Sequence, residues 1–413
     1  MVRLYPQHYN LRNDMKTKTD SIIEKLIGLY IVCLFLFSNV SVMSYISNVI
    51  LIFLAFICFA NRIAKDGLKI NTIEFWVIVF ATYSFFLKEC LPGGWSRLLG
   101  VNIQTAISIL ICTCVFFAIE SYADCRVKRE CLLKMLSGAG LILAIYTVII
   151  ARRNIFLGLH SAGMTEYLAK YGLQSNEMGF CFGIAFLASF FLWKKYPKHH
   201  YCFAMCINAL FVLLSGSRKA LIYLVVGLGV YFIFTSKKSI VLRIILAVFI
   251  GIVVFYCIMN IPILYHLIGY RFSSLLDIFN GGRGIDSTYT RVLMIEHGMQ
   301  MIKENPWFGS GFNSFYQSYG SWSGNYKYAH NNYIELLVSG GIVFTIIYYL
   351  RYVLLLKKYI SYYVSNRDNL EIVIYAAMAI SMLVADIATV SYYYQIYYLV
   401  FAVICSWVRN KQD

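Results

Sequence analysis

Residues 240–259 read IVLRIILAVFIGIVVFYCIM, with Arg243 the one charged position. Twenty such residues make a helix just long enough to cross the hydrocarbon core of a bilayer. The character then changes: residues 260–332 are polar, and an apolar run resumes at 333. Outward from this pair, comparable runs lie at 22–40, 42–60, 73–91, 99–119, 131–151, 177–193, 200–214, 219–235, 370–387 and 391–408, which makes twelve in all. The run at 200–214 is short, and the last begins in a tyrosine cluster. The runs are continuous and not alternating, which excludes a transmembrane β-barrel. Of the 413 residues, 60% are hydrophobic and 14% are charged, against roughly 25% charged in soluble chains. The expected fold class is an all-α polytopic membrane protein of about twelve transmembrane helices.

Basic residues set the orientation of such a bundle. With the amino terminus in the cytoplasm, the inside segments hold 24 of the 36 Lys and Arg. Arg62 and Lys65, Arg126 to Lys134, Lys194 to Lys198, Lys237 and Lys238, and Arg351 to Arg367 fall in successive inside loops. Both termini are then cytoplasmic. Residues 1–21 form a cytoplasmic tail, 22–259 hold spans one to nine, 260–332 form one large extracytoplasmic loop, and 333–408 hold spans ten to twelve. The first run follows a polar, basic tail with no cleavage pattern, so it reads as a retained anchor. The net charge of +16 is scattered between apolar runs, which argues against a nucleic-acid partner and for contact with membrane lipids. Most of the twelve cysteines, among them Cys33, Cys58, Cys112, Cys181 and Cys405, lie inside apolar runs, where the thiol acts as a small hydrophobe. Neither a disulfide framework nor a metal cluster is expected.

Cations outside oppose this orientation and need a reason. Arg218 and Lys219 follow Ser215-Gly216-Ser217, a tight turn entering span eight. Free N–H groups at that helix start favour an anion, and Arg218 adds a forked donor. The competing reading is snorkelling to lipid phosphates. In the loop, Arg283 lies in Gly281-Gly282-Arg283-Gly284, flexible enough to close over a ligand. Ser287 reads as an N-cap, and 288–303 as an amphipathic helix with Val292, Ile295, Met299 and Ile302 as its apolar stripe. Arg291 sits in its first turn, where a cation gains nothing from the helix dipole.

Residues 305–328 contain nine aromatics in 24 positions, within and after Asn305-Pro306-Trp307-Phe308-Gly309-Ser310-Gly311-Phe312. Rings such as Trp307 stack on sugars or form interfacial belts. Ala329-His330-Asn331-Asn332-Tyr333 reaches the outer end of span ten. His330 can accept a proton near neutrality. Glu335 and Asp386 are ionisable groups at the outer ends of spans ten and eleven, costly there and therefore functional candidates. Gln174, Asn176 and Glu177 are a further outside polar cluster suited to sugar hydroxyls.

At these residues the chain resembles the O-antigen ligase/polymerase superfamily of bacterial inner-membrane glycosyltransferases. The likeness covers about 205–350 and rests on SGSRKAL, TYTRVLMIEHGM, NPWFGSGFNSF and AHNNYIELLVSGGI in that order. It implies a fold related to the GT-C type and no cofactor. It implies catalytic roles for Arg218, Arg291 and His330; the residue reading above adds Lys219, Arg283, Glu335, Asp386, Asn176, Glu177 and Trp307 as substrate-binding candidates. The implied donor is an undecaprenyl-pyrophosphate-linked glycan, the acceptor is another glycan, and the implied partners are a chain-length regulator and a flippase. The expected reaction is metal-independent, inverting glycosyl transfer that polymerises O-antigen or capsular repeat units. An O-antigen ligase acting on lipid A core is the alternative. A flippase or transporter is a weaker reading, because the informative charges cluster at one face.

Overall fold

In a computed structural model the described residues are 18–38, 40–67, 69–90, 97–98, 101–152, 155, 159, 162–235, 240–270, 272–273, 287–366 and 369–409. They are almost wholly helical. In chain order come α1 (Lys18–Phe37), α2 (Ser41–Asp66), α3 (Thr72–Ser84), α4 (Gln104–Tyr122), α5 (Arg126–Ala151), the short α6 (Ala162–Ala169), α7 (Ser175–Lys195), α8 (His199–Leu214), α9 (Arg218–Thr235) and α10 (Ile240–Asn260). After the polar segment begins come α11 (Ser287–Glu304), α12 (Ser314–Ser323), α13 (Asn332–Ser365), α14 (Leu370–Ala385) and α15 (Gln395–Arg409). Each of the twelve apolar runs falls on one of these helices.

Seven stretches are long and apolar enough to cross a membrane: Met43–Lys65, Gln104–Tyr122, Arg126–Ala151, Ser175–Lys195, Arg218–Thr235, Val241–Asn260 and Asn332–Ser365. Thr72–Ser84, His199–Leu214, Leu370–Ala385 and Gln395–Arg409 are apolar but shorter. The chain is a polytopic membrane protein. Its burial pattern agrees, because α7 is enclosed along most of its length while α10 exposes Val241, Ile245, Val248, Phe249 and Ile252. In water those side chains would be a liability, but in hydrocarbon they face their own kind of solvent.

Asparagines start several helices. Asn71 caps α3 in a capping box: its Oδ1 accepts from the Ile73 and Glu74 amides, and its own amide donates to Glu74 Oε2 at 2.7 Å. Asn331 Oδ1 accepts from the Tyr333 and Ile334 amides at the start of α13. Each cap satisfies donors that the helix itself leaves open.

The bundle has two chemically different ends. At one, cations and carboxylates are buried together. Arg62 Nη1 lies 2.6 Å from Glu74 Oε1 and 3.0 Å from Glu120 Oε2, and Arg409 Nη1 lies 3.0 Å from the same Glu120 oxygen. Nearby, Lys195 pairs with Glu130 and Glu371, and Arg126 joins both carboxylates. These side chains come from the last turns of α2, α4, α7 and α15 and the first turns of α3, α5 and α14. The opposite helix ends gather at the other pole, which holds the cavity described below.

Two expectations fail here. Residues 351–358 do not leave the helix after span ten, because α13 continues to Ser365. Arg351 is buried within it, its guanidinium carbon 4.1 Å from the Tyr348 ring centre, 4.6 Å from Tyr398 and 4.8 Å from Phe401. Aromatic faces attract a desolvated cation strongly enough to hold it inside the bundle. The stripe assigned to α11 is also shifted. Met294 is buried, with Met301 and Ile302 half-buried, whereas Ile295 and Met299 are exposed. The helix is apolar on two faces, and the one carrying Gly298 can come closest to Ile334 of α13.

Candidate functional site

The turn before α9 is built for close packing. Ser215 and Ser217 are fully buried. Ser215 Oγ accepts the Ser217 amide at 3.2 Å, and Ser217 Oγ accepts the Ala220 amide at 3.4 Å, which caps the helix. Ser217 Oγ also donates to the Asn176 carbonyl at 3.4 Å. A Cβ on Gly179 of α7 would collide with Ser215 Oγ, so only glycine lets the turn lie this near. The result sets Arg218 and Lys219, the first residues of α9, beside Asn176 and Glu177, in the first turn of α7. Lys219 Nζ donates to Thr389 Oγ1 at 3.2 Å and lies 5.8 Å over the Phe180 ring.

Arg291 arrives on α11. That helix is fixed by Met294 within a cluster of Phe315, Tyr319, Ala329, Ile334 and Val338. His297 adds a second tie to α12: its Nε2 lies 2.9 Å from Ser318 Oγ, and its ring stacks on Trp322 at 5.4 Å. Arg291, Met294 and Gly298 follow helical spacing, so the packing that buries Met294 sets Arg291 over the cavity.

The Asn305–Phe312 segment docks onto α13 through its backbone. Ser310 and Gly311 amides donate to the Val338 and Ser339 carbonyls at 2.7 and 2.8 Å, and the Ile342 amide donates to the Pro306 carbonyl at 2.9 Å. Helix α13 is broken here, with Gly341 at φ 66°, ψ −165°. Groups freed by the break are re-satisfied by the docked segment, as a low-dielectric surrounding demands. Phe312 is then tied to Lys88 and Cys90, beyond the end of α3.

His330 stands where these pieces meet. It has φ 52°, uncommon for a side-chain-bearing residue, and its ring centre is 4.1 Å from that of Tyr328. Each neighbour has a separate task. The Ala329 amide donates to Glu335 Oε2 at 2.8 Å, and Asn331 caps α13. Asn332, with no exposed surface, binds in four directions through its side chain. Its Oδ1 accepts the Ser391 and Tyr392 amides at 2.8 and 3.2 Å, and its Nδ2 donates to Asp386 Oδ2 at 3.2 Å and Tyr349 Oη at 2.9 Å.

Together these segments enclose a cavity of about 420 Å³. Arg218, Lys219, Arg291, Lys327 and His330 line it with Asn176 and Glu177, and its remaining wall includes Tyr328, Thr389, Tyr393 and Tyr394. Glu177 is the one carboxylate among the described lining residues. Burial, together with Arg291, Lys219 and Lys327, pushes the His330 imidazole down to about 3, so it is neutral near pH 7. Such a cavity suits a ligand that carries an anion at one end and hydroxyls at the other.

Three described sequence candidates, Glu335, Asp386 and Trp307, are not among the lining residues. Glu335 is buried below the cavity and holds Ala329. Asp386 is buried in the Asn332–Tyr349 network and supports the wall from behind. Trp307 is 62% exposed on the outer surface. Arg283 lies outside the described residues. The sequence reading did not assign Lys327, Tyr328, Thr389, Tyr393 or Tyr394 to the site. The tyrosine cluster at 392–394 was the visible signal for the last two.

Residues 200–349 match the family model described as O-antigen ligase. This match supports the O-antigen ligase/polymerase superfamily over that segment of the chain. The matched segment includes the Arg218 turn, α11 with Arg291, the docked Asn305–Phe312 segment and His330. The domain thus contributes the cation-bearing part of the cavity, while α1, α2, α7 and the wall at 388–397 come from outside the match. This family supports a glycosyltransferase-like, ligase- or polymerase-type activity on lipid-linked glycans. No curated protein matches the chain.

Proposed function

We propose that the chain is a polymerase that joins undecaprenyl-pyrophosphate-linked oligosaccharide repeat units into O-antigen or capsular polysaccharide. It would act on the extracytoplasmic face of the bacterial inner membrane. The observation that carries the proposal is the gathering of Arg218, Lys219, Arg291 and His330 around one cavity at one pole of a membrane bundle. The donor lipid lies in the bilayer with its diphosphate at the cations. The acceptor hydroxyl attacks the anomeric carbon with inversion, the carbon–oxygen bond to diphosphate breaks, and lipid diphosphate leaves with the electron pair. Fixed guanidinium groups stabilise the charge that builds on the leaving group. His330 positions the acceptor hydroxyl or takes its proton.

The excess of Lys and Arg at the opposite pole supports an extracytoplasmic cavity. The family description favours a second reading, a ligase that transfers finished glycan to lipid A core. Deletion of the gene and electrophoresis of surface and lipid-linked glycans separates them. A polymerase deletion leaves single repeats and no long chains, whereas a ligase deletion leaves long chains on the carrier lipid. Unchanged surface glycan would refute both.

A further inference from the structure

We propose that Glu177 is the group that takes the proton from the acceptor hydroxyl, leaving neutral His330 to hold that hydroxyl by a hydrogen bond. This rests on the glycosyl-transfer reading above and divides a task that reading leaves between groups. Among the described residues the cavity wall carries four cationic side chains and one carboxylate. That carboxylate stands in the first turn of α7, half-buried, beside the turn that bears Arg218 and Lys219. Its electrostatic neighbours come from three other segments: Lys219 of α9, Tyr328 before α13, and Tyr394 before α15. Arg291 of α11, with Lys327 and His330, completes the charged or titratable lining nearest them.

Burial distinguishes the two candidate bases. A proton placed on His330 creates a buried charge facing Arg291, Lys219 and Lys327. A proton placed on Glu177 neutralises a carboxylate and adds no further positive charge beside those cations. Asn176, on the preceding position, supplies an amide suited to a neighbouring sugar hydroxyl. The balance is simple: the acceptor oxygen bonds to the anomeric carbon, its proton moves to a Glu177 carboxylate oxygen, and lipid diphosphate departs as an anion.

The test uses the full-length protein in lipid nanodiscs. The substrate is lipid-linked glycan extracted from host cells lacking the gene, with the host's envelope lipids as acceptor source. Wild-type protein must first form product; if it does not, the glycosyl-transfer reading fails and this inference with it. Given activity, Glu177→Gln is expected to lower kcat about 100-fold or more, with the donor KM little changed and the acidic limb of the pH profile lost. Inorganic pyrophosphate is expected to raise the Tm of Glu177→Gln at least as much as that of wild type, because the cations remain. Glu177→Asp keeps a carboxylate and should retain clearly more activity and the acidic limb. The inference is overturned if Glu177→Gln stays within threefold of wild type, if both variants lose activity equally, or if the pyrophosphate shift disappears along with activity.

Discussion

Replacing Asn332 by alanine is expected to damage the site from behind its wall. The side chain has no solvent exposure and satisfies the amides of Ser391 and Tyr392, which are themselves buried. Alanine leaves both amides without their acceptor and removes one of the donors to Asp386. An orphaned buried amide costs about 1–3 kcal/mol, so two of them, with the weakened Asp386, give a loss of about 3–5 kcal/mol. For a chain of this length that corresponds to a Tm lower by roughly 5 °C, measured by heating purified protein and following its size-exclusion peak. Functional loss should exceed the loss of stability, because Thr389, Tyr393 and Tyr394 on the cavity wall share the segment that Asn332 anchors.

A swap separates this network from general fragility. Asn332→Asp keeps an acceptor for the two amides but sets a second carboxylate against Asp386, and adding Asp386→Asn restores one donor and one carboxylate. The double variant should recover at least half of the Tm lost in Asn332→Asp. A shift of less than about 1 °C in Asn332→Ala, or no recovery in the swap, would refute the reasoning.

Gly341→Ala is expected to lower stability by about 3 kcal/mol or more, since its φ, ψ region is nearly glycine-only and the new Cβ would land on the Trp307 carbonyl and Phe308 nitrogen. The same thermal assay checks it, and an unchanged Tm would deny that Asn305–Phe312 docks on α13. Arg218→Ala, Arg291→Ala and His330→Ala should each abolish product on surface-glycan gels while the protein still reaches the membrane. Full activity of Arg291→Lys would show that a planar bidentate contact is not used. His330 ionises lower in the folded state than the ordinary value of about 6.5. Below that value the unfolded chain binds the proton and the folded chain does not, so stability should fall by about 1 kcal/mol from pH 6.5 to 5.5. His330→Asn should lack this part of the pH dependence of Tm, and identical slopes would contradict it.

How far the sequence could be read follows from the physics of each element. The apolar runs were legible because hydrocarbon thickness sets a length that few other structures need. The end of α13 was not. Arg351 looks like loop charge in one dimension and is acceptable inside a bundle only because Tyr348, Tyr398 and Phe401 from two helices meet around it. The α11 stripe was misplaced because two faces are equally apolar; the deciding residue is Gly298, whose missing side chain admits Ile334.

Within the site, motif residues were easier to find than wall residues. Arg218, Arg291 and His330 announce themselves as charges or an imidazole in unfavourable positions. Thr389 and Tyr393 carry no such signal and reach the cavity only through the Asn332 anchor. The aromatic, glycine-rich segment at 305–312 was legible as unusual but not as structural. Its glycines serve backbone docking, which leaves Trp307 outside.

The contrast between the two poles supplies the strongest reason to expect an anionic ligand. At the pole of Arg62, Lys195 and Arg409, buried cations are matched by Glu74, Glu120, Glu130 and Glu371 from neighbouring helices. The fold can therefore pair its own charges when pairing serves stability. At the cavity, Arg218, Lys219, Arg291 and Lys327 share one wall, with Glu177 the carboxylate among its described lining residues. Like charges held together repel, and the cost grows as water is excluded. Packing of Met294 and the Ser215–Ser217 turn nevertheless holds three of these cations in place. A diphosphate would offset that repulsion on binding, and its attraction to the cations should weaken with salt. Inorganic pyrophosphate should accordingly raise the Tm more at 50 mM than at 500 mM salt, and equal shifts would mean that charge attraction to these cations does not drive its binding.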